Sequence, residues 1–188
     1  MRGDNFMKVK HLDHRIRSVL SIANLSECVR RKVGCVFVDP ETNTILSEGY
    51  NGWLRGQEGS SCAKKCVREE IISGTKLEQG CVHAEMNAIV NACANGTNLS
   101  GSYVFVTTEP CLICSKLLIQ LRVSKVFCIS AYKTQEGVQL LEECGIDVEY
   151  IQLSPPTNPN PKIEQSPFGV NHDRTNKRVF KEGHSVFK

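Results

Sequence analysis

The sequence is poor in aromatic side chains, and its first 153 residues have no excess of charge of either sign. Phe, Trp and Tyr make up only 6% of the 188 residues, which disfavours a stacking platform for long single strands. Residues 1–153 carry 17 basic and 17 acidic side chains, so they lack the basic face that a polynucleotide substrate usually requires. The net charge of +3 comes from residues 154–188. The composition therefore favours a small substrate over a nucleic acid polymer.

Long apolar runs are also absent. No run approaches the roughly 18 apolar residues of a membrane-spanning helix, and residues 1–5 lack a signal peptide's apolar stretch. We therefore expect a cytoplasmic protein that does not bind a membrane. Ten cysteines then indicate metal binding or packing more often than disulfide bonds. Cys35, Cys93, Cys128 and Cys144 fall in apolar segments and are predicted to be core residues.

Two short segments contain residues that together can bind a metal ion. His83 and Glu85 lie in one, and Pro110 precedes Cys111 and Cys114 in the other. H-x-E followed by P-C-x-x-C is a signature of zinc deaminases. One imidazole and two thiolates supply three ligands and leave a fourth position open for water, as in a catalytic zinc site.

The spacing of these residues predicts that they lie at the starts of two helices. Cys111 and Cys114 are three residues apart and would share one face, with Pro110 in the first helical turn. His83 is predicted to start a second apolar helix that ends near residues 95–96. A helix N-terminus favours thiolates, so two facing N-termini could hold one metal ion between them.

Glu85 is predicted to transfer protons. It lies two residues from His83, so it points elsewhere on the helix and is not expected to be a fourth ligand. Zinc lowers the pKa of bound water to about 7. Glu85 would take a proton from this water and pass it to a ring nitrogen of the base, while hydroxide attacks C4 and ammonia leaves. The alternative is a structural zinc site with an incidental glutamate.

The remaining pattern predicts an α/β domain followed by a tail. Strands are expected at residues 32–38, 44–50, 103–108, 123–130 and 147–153, with further helices at 11–28 and 134–144. They imply a five-stranded mixed sheet with helices on both faces and the metal at strand C-terminal ends. Four prolines in residues 154–161 predict a linker, which divides the chain into a deaminase domain, 1–153, and a Pro-rich linker with a basic tail, 154–188.

Several motifs carry a resemblance over residues 10–153. They are Ser26-Glu-Cys-Val-Arg-Arg-Lys-Val-Gly34, Gly49-Tyr-Asn-Gly52, His83-Ala-Glu-Met-Asn-Ala-Ile89, Pro110-Cys-Leu-Ile-Cys114 and Gly145-Ile-Asp-Val148. With them the chain resembles the deoxycytidylate (dCMP) deaminases, a branch of the cytidine deaminase superfamily. H-A-E with P-C-x-x-C is typical of the superfamily, and G-Y-N-G with H-A-E-x-N-A is typical of the dCMP branch.

The resemblance implies a three-layer α/β/α fold, hydrolysis of dCMP to dUMP for dTMP synthesis, and a homohexamer. It implies that Asn51 binds the sugar and that the backbone at Ala84 and at Thr108 and Glu109 holds the base. Tyr132 matches a tyrosine that lies near the nucleotide in this family.

Many members are activated by dCTP, which Mg²⁺ would accompany, and inhibited by dTTP. In them the glycine-rich loop, here with Gly49, Tyr50 and Gly52, lies near the effector. Leu54 stands where members often have proline, and the tail is unusual for the family.

A second, structural zinc site is predicted from four further cysteines: Cys28, Cys62, Cys66 and Cys81. The spacing of Cys62 and Cys66 suits metal ligands, and four thiolates would form a closed site. Some family members hold a structural zinc at the matching positions. The alternative is four free thiols.

Three other functions are alternatives to dCMP deamination. The first is a deaminase of dCTP or another free cytidine nucleotide. The second is a tRNA or other polynucleotide deaminase, against which the neutral body of the chain argues. The third is a nucleotide-sensing protein on an inactive deaminase fold, against which the presence of Glu85 argues.

Overall fold

The computed structural model describes residues 9–56, 66, 68–72, 75–76 and 80–152. In chain order these residues form α1 (Val9–Asn24), β1 (Gly34–Val38), β2 (Ile45–Tyr50), α2 (Ala84–Ala94), β3 (Tyr103–Val106), α3 (Leu112–Gln120), β4 (Lys125–Cys128), α4 (Glu136–Glu143) and β5 (Asp147–Tyr150). The predicted linker and tail lie outside the described residues, as does Cys62.

The five strands form one mixed sheet in the order β2-β1-β3-β4-β5. β1 is antiparallel to both β2 and β3, whereas β4 runs parallel to β3 and β5 runs parallel to β4. The antiparallel turn between β1 and β2 is held by the Asp39 carboxylate, which accepts the N–H groups of Glu41 and Thr42. The predicted hairpin and the predicted five-stranded mixed sheet are confirmed.

Helices cover both faces of this sheet, because alternate side chains of each strand point to opposite faces. α1 packs on one face, where Ile16 and Val19 belong to a buried cluster with Val36, Phe105 and Phe127. The other face packs against residues of α2, α3 and α4: Ala84, Ala88, Ala92, Leu118 and Leu141. All five residues of β1 are buried as a result.

Gly49 lets α2 lie directly on β2. A Cβ atom at this position would lie 2.4 Å from the backbone nitrogen of Ala88 and 2.7 Å from the carbonyl oxygen of Ala84. The Ser47 hydroxyl donates a hydrogen bond to the Ala88 carbonyl (2.7 Å), and the Asn87 side chain donates one to the Tyr50 carbonyl (2.8 Å). The strand therefore fixes the position of the helix whose first turn follows His83.

Two predicted helix boundaries were wrong. α1 ends at Asn24, not near residue 28. The next residues are held in an irregular path by the Ser26 hydroxyl, which donates to the Asn51 carbonyl and accepts the Cys28 N–H. Pro110 was predicted in the first turn of α3, but Cys111 is the N-cap, so the proline precedes the helix.

The prediction of core cysteines was right for two residues and wrong for two. Cys35 and Cys128 are buried in the sheet, whereas Cys93 on α2 and Cys144 at the end of α4 are exposed. An amphipathic helix turns one face to solvent, and an apolar run in the sequence does not show which residues occupy that face. Among the described residues, no helix is both long and apolar enough to cross a membrane.

Candidate active site

The starts of α2 and α3 meet beside the sheet. β3 ends at Val106, and the chain continues through residues 107–110 to Cys111, the N-cap of α3. Gly52 and Val82 exchange two backbone hydrogen bonds, of 3.1 and 2.8 Å, and so fix the chain directly before His83, the N-cap of α2. The sheet therefore positions both helix starts, one through β3 and the other through the segment after β2.

Three side chains at these helix starts have the geometry of a zinc site. The Nδ1 atom of His83 lies 3.3 Å from the Cys111 sulfur and 3.5 Å from the Cys114 sulfur. A tetrahedral Zn²⁺, with Zn–N about 2.0 Å and Zn–S about 2.3 Å, puts nitrogen and sulfur about 3.5 Å apart. The three ligand atoms all lie within 4.8 Å of one another. In the part of the chain that the structure describes, no other group of three His, Cys, Asp or Glu side chains does so. The donor set therefore fits zinc.

Contacts among the three ligand side chains shift the pKa values of the two cysteines in opposite directions. Hydrogen bonds from the Cys114 thiol and from His83 lower the pKa of Cys111 to about 4, although burial acts in the opposite direction. The same bond to Cys111, together with burial, raises the pKa of Cys114. The bond to Cys111 also raises the pKa of His83. A cation bound between these side chains would stabilise both cysteines as thiolates, since metal binding displaces such protons.

Neither helix has a good N-cap. His83 and Cys111 occupy the two N-cap positions, and neither side chain makes a capping hydrogen bond. Ser, Thr, Asp and Asn are the residues that usually cap helices in this way. The first-turn N–H groups and the positive dipole ends of both helices therefore remain directed toward the metal site, where they favour thiolate ligands.

Glu85 lies in the first turn of α2 and is only 4% exposed. Its carboxylate oxygens are not within 4.8 Å of all three ligand atoms, which agrees with its predicted role outside the ligand set. Burial raises the pKa of this carboxyl, while the charge of His83 lowers it. A carboxyl group whose pKa is raised in this way holds a proton more readily than an exposed one, which suits it to both accept and release a proton during a reaction.

One cavity of about 280 Å³ joins the metal ligands to the predicted substrate-binding residues. His83, Cys111 and Glu85 line it. The predicted substrate-binding residues line the same cavity: Asn51, Ala84, Thr108, Glu109 and Tyr132. Its volume lies just below the range of about 300–1,000 Å³ that is usual for small-molecule sites. The structure thus brings these residues together, although binding by them stays a prediction.

The residues of the predicted effector loop lie elsewhere. Gly49, Tyr50 and Gly52 line a second cavity of about 190 Å³, together with Trp53 and Arg55. Within the glycine-rich loop, Asn51 lines the catalytic cavity, whereas Gly49, Tyr50 and Gly52 line only the second one.

The Asn51 side chain is buried and supports the backbone of a neighbouring segment. Its Oδ1 atom accepts the N–H of Val33 (2.8 Å), and its Nδ2 atom donates to the carbonyl of Arg31 (2.9 Å). One amide hydrogen of Asn51 is left for another acceptor. Whatever it binds, this residue fixes the path of residues 31–33 along the cavity wall.

Glu109 connects three segments around the cavity. The residue follows β3, is 3% exposed, and accepts the backbone N–H of Tyr132 at 2.6 Å. Its other carboxylate oxygen accepts the Tyr150 hydroxyl from β5. The side chain therefore holds the loop after β4 in place, so Glu109 contributes more than the backbone contact predicted from the sequence.

Sequence reasoning missed four basic residues that line this cavity: Arg30, Arg31, Arg68 and Lys133. The run Arg30-Arg31-Lys32 lies within the motif Ser26–Gly34. Its three consecutive positive charges are the feature that could have indicated basic residues at the cavity. Spacing alone could not show which of these consecutive side chains faces the cavity.

The predicted second zinc site is only partly within the described residues. Cys28, Cys66 and Cys81 line the same cavity as His83. Their three sulfur atoms are not all within 4.8 Å of one another, unlike those of the first ligand set. The fourth predicted ligand, Cys62, lies outside the described residues.

Three ligands beside an open cavity, with a buried carboxylate next to them, define a metal site of the catalytic class. Residues 10–130 match the family described as the cytidine and deoxycytidylate deaminase zinc-binding region, a match that covers more than half of the chain. The chain belongs to this deaminase family.

Two relatives each match about 70% of this chain. The chain is 33% identical over 137 residues to ComE operon protein 2 of Bacillus subtilis, covering 70% of this chain and 66% of that protein. It is 33% identical over 141 residues to the deoxycytidylate deaminase of Schizosaccharomyces pombe, covering 72% of this chain and 42% of the relative. The chain therefore spans less than two thirds of these two proteins.

Phage proteins are matched over more of their length. The deoxycytidylate deaminase of Enterobacteria phage T4 is 30% identical over 171 residues, with 70% of this chain and 86% of the phage protein covered. A crystal structure of dCMP deaminase from the cyanophage S-TIM5, in complex with dCMP and dUMP, superposes with a TM-score of 0.68 at 29% identity. That superposition covers 78% of this chain and 100% of the cyanophage chain. The similarity confirms the predicted α/β cytidine-deaminase-like fold.

Proposed function

We propose that this chain catalyses the zinc-dependent hydrolysis of dCMP to dUMP and ammonia. The observation that carries the proposal is the zinc-type ligand set of His83, Cys111 and Cys114, with the buried Glu85 on the wall of the same cavity. The relatives named deoxycytidylate deaminase and the cyanophage complex with dCMP and dUMP support this choice of substrate.

His83, Cys111 and Cys114 would hold the zinc ion, which when bound activates water by lowering its pKa toward 7. The Glu85 carboxylate accepts a proton from the attacking water and delivers it to the ring nitrogen beside C4. The remaining proton of the attacking water then passes from the C4 hydroxyl to the amino group, the C4–N bond breaks as the C4 carbonyl forms, and ammonia is released. The burial that raises the pKa of Glu85 suits a group that is protonated and deprotonated in each cycle.

The cavity walls would orient the base and the sugar. The backbone of Ala84, at the start of α2, and of Thr108 and Glu109, after β3, lies at the cavity beside the ligands. Backbone donors and acceptors there would hold the edge of the cytosine ring. Tyr132 and the remaining amide hydrogen of Asn51 lie on the walls that would face the sugar.

Ammonia release from dCMP, dCTP, deoxycytidine and CMP, each offered separately to zinc-loaded protein, tests the proposal. We expect turnover of dCMP, and in Glu85→Gln a fall of kcat by roughly 10²- to 10⁴-fold with the zinc content unchanged. Turnover of dCTP in place of dCMP would keep the chemistry and change the substrate. Turnover of none of the four would refute the proposal, and salt-dependent RNA binding would then test the polynucleotide alternative.

The second zinc site remains a proposal for Cys28, Cys62, Cys66 and Cys81. The burial of Cys28 and Cys66, together with Cys81 on the same cavity, supports it, although a metal ion would have to draw their sulfurs closer together. We expect two zinc ions per chain in wild type and one in Cys62→Ser. Cys93→Ser changes an exposed thiol and serves as the control. One zinc ion in wild type, or two in Cys62→Ser, would exclude the second site.

Oligomer formation and effector binding are further proposals. The half-exposed apolar side chains of Tyr50, Leu54 and Val90 support an interface between copies of the chain, as in the homohexamer that the family resemblance implies. The second cavity, at Gly49 and Gly52, supports a site for dCTP with Mg²⁺ or for dTTP. Light scattering with and without each nucleotide tests both proposals. A cytoplasmic location also stays a prediction.

A further inference from the structure

Thr108 brings a hydroxyl group to the wall of the catalytic cavity, close to the metal ligands along the chain. The residue lies between the end of β3 and the start of α3, three positions before Cys111. It lines the cavity together with His83, Glu85 and Cys111. The binding of the base proposed above uses only the backbone of Thr108, which leaves its hydroxyl without a role.

The proton of this hydroxyl has a fixed direction. The Thr108 Oγ1 and Ser130 Oγ atoms lie 3.2 Å apart, and taken alone this contact allows either hydroxyl to donate. The Ser130 hydroxyl, however, donates to the carbonyl of Thr107 (2.8 Å). A hydroxyl has a single proton to donate, so Ser130 must accept from Thr108. The Thr108 proton therefore points to Ser130, and the Thr108 oxygen offers the cavity lone pairs only.

Backbone hydrogen bonds anchor the segments that carry both hydroxyls. The Glu109 N–H donates to the Ser130 carbonyl (3.0 Å), and the Thr107 N–H donates to the Gly34 carbonyl (3.1 Å). The Thr107 hydroxyl in turn accepts the Gly34 N–H (3.1 Å). Thr108 itself is buried, and Ser130 is not part of the cavity wall that the structure describes. The acceptor is thus preorganised, so little ordering is needed when a ligand binds.

A hydroxyl that can only accept distinguishes an amino group from a carbonyl group. Cytosine has an amino group at C4, which donates, whereas uracil has a carbonyl group there, which accepts. Because the proposed reaction takes place at C4, this end of the base must lie beside the metal ligands, where Thr108 also lines the cavity. An acceptor that faces a second acceptor in a buried site is left without a partner, which disfavours binding.

We propose that the Thr108 hydroxyl accepts a hydrogen bond from the C4 amino group of the substrate, and that Ser130 is a positioning residue that prevents this hydroxyl from donating. The proposal rests on the proposed function, because it deepens the description of the same site. The C4 carbonyl of the product dUMP faces the same acceptor. The pair therefore favours binding of the cytosine nucleotide and release of the uracil nucleotide.

The affinities for dCMP and dUMP in zinc-loaded protein that carries Glu85→Gln test the role of Thr108. This common background consumes dCMP too slowly to disturb titration calorimetry. Thr108→Val has a similar shape but lacks the acceptor. We expect it to weaken dCMP binding and not dUMP binding, so that the ratio of the two Kd values falls by roughly 3- to 10-fold. Thr108→Ser retains the hydroxyl and should keep most of the wild-type ratio.

Ser130→Ala should change the other nucleotide. Without its acceptor, the Thr108 hydroxyl can turn and donate to a C4 carbonyl, while it can still accept from an amino group. We expect dUMP to bind roughly 3-fold tighter and dCMP to bind about as before. With Glu85 intact, dUMP should then inhibit dCMP turnover more strongly. Ser102→Ala is the matched control, because this buried hydroxyl also donates to a backbone carbonyl, that of Leu99 (2.7 Å), but does not line the cavity.

The outcomes separate this proposal from the proposed function. Equal weakening of dCMP and dUMP by Thr108→Val would place the hydroxyl against a group that both nucleotides share and would overturn the proposal while deamination stands. Unchanged dUMP binding in Ser130→Ala would refute the part assigned to Ser130. If wild type deaminates no cytosine compound, the proposed function fails and the calorimetry decides by itself. A preference for dCMP over dUMP that depends on Thr108 then supports the amino-group contact, and its absence refutes it.

Discussion

The inner part of the cavity and its rim are built in different ways. The inner part consists of His83, Glu85, Cys111 and Cys114, which all lie within the first turns or N-caps of two helices packed on the sheet. The rim consists of long side chains from irregular segments, among them Arg31 and Tyr132, which a single cation–π contact brings together. Backbone geometry thus positions the metal-ligand set and Glu85, whereas contacts between side chains position the rim.

This difference has a physical reason. Metal ligands must be placed within a few tenths of an ångström, and short side chains on helix starts leave few rotatable bonds between backbone and ligand atom. The long side chains of the rim have more rotatable bonds between backbone and charged group, so their positions depend on contacts such as the one between Arg31 and Tyr132. We therefore expect substitutions of the three ligands to act on metal and catalysis together, substitution of Glu85 to act on catalysis alone, and substitutions at the rim to act on substrate binding.

Cys111→Ser should have the largest effect. A serine hydroxyl stays protonated at neutral pH and cannot replace the thiolate ligand, whose pKa is already lowered to about 4 before metal binds. We expect the zinc content to fall by one ion per chain and dCMP turnover to fall to background. Metal analysis with Cys93→Ser as the matched exposed thiol provides the check. Full zinc occupancy in Cys111→Ser would show that the inner part does not depend on this ligand.

Gly137→Ala should affect the inner part from outside the cavity. A Cβ atom at this first-turn position of α4 would lie 2.2 Å from the Pro110 carbonyl oxygen and 3.0 Å from the Cys111 carbonyl carbon. The start of α3 would have to move, which should destabilise the fold by about 1–3 kcal/mol and weaken zinc retention.

Urea unfolding and a chelator titration measure the two effects of Gly137→Ala. Gly145→Ala is the control, because it also changes a glycine next to α4 but its Cβ would meet no atom within 4 Å. Any effect of Gly145→Ala on stability reflects only its positive φ of 78°. A Gly137→Ala protein that loses stability but retains zinc as wild type does would mean that α3 can shift without moving its ligand.

Glu109→Gln should have a smaller effect, confined to the rim. A glutamine amide can place only one acceptor where the carboxylate accepts from both Tyr132 and Tyr150. We expect KM for dCMP to rise by roughly 10-fold, with zinc content unchanged and kcat nearly so.

Tyr150→Phe should change KM for dCMP less than Glu109→Gln does. It removes one donor from a side chain that is 52% exposed, so we expect at most a roughly 3-fold change in KM. Steady-state kinetics of both variants tests the order of effects. A loss of zinc in Glu109→Gln would place this residue with the inner part of the cavity and break the distinction.

The two parts also differ in how far the sequence predicted them. The ligand set and Glu85 follow from local spacing, because residues two or three positions apart on a helix have fixed relative directions. The strands were predicted well because apolar β-branched runs such as Val36-Phe37-Val38 match buried strands. The predicted start of α3 at Pro110 was wrong by two residues, which is within the usual scale of error at a helix start.

The rim could not be predicted in the same way. The three consecutive cations Arg30, Arg31 and Lys32 have three different partners, two of which are contacts with distant or irregular segments. Only the folded chain determines such contacts. The exposure of Cys93 was missed for a related reason, since an apolar helix sequence does not show which side lacks a neighbour.

Gly49 shows how tightly the inner part restricts the sequence. In a library with every amino acid at position 49, selected for zinc retention, we expect glycine alone to be recovered. Even alanine would place its methyl group inside the backbone of α2 and push His83 away from the two sulfurs. We therefore expect packing alone to exclude substitution of the first glycine of the G-Y-N-G motif, although this residue lies outside the catalytic cavity and carries no functional group.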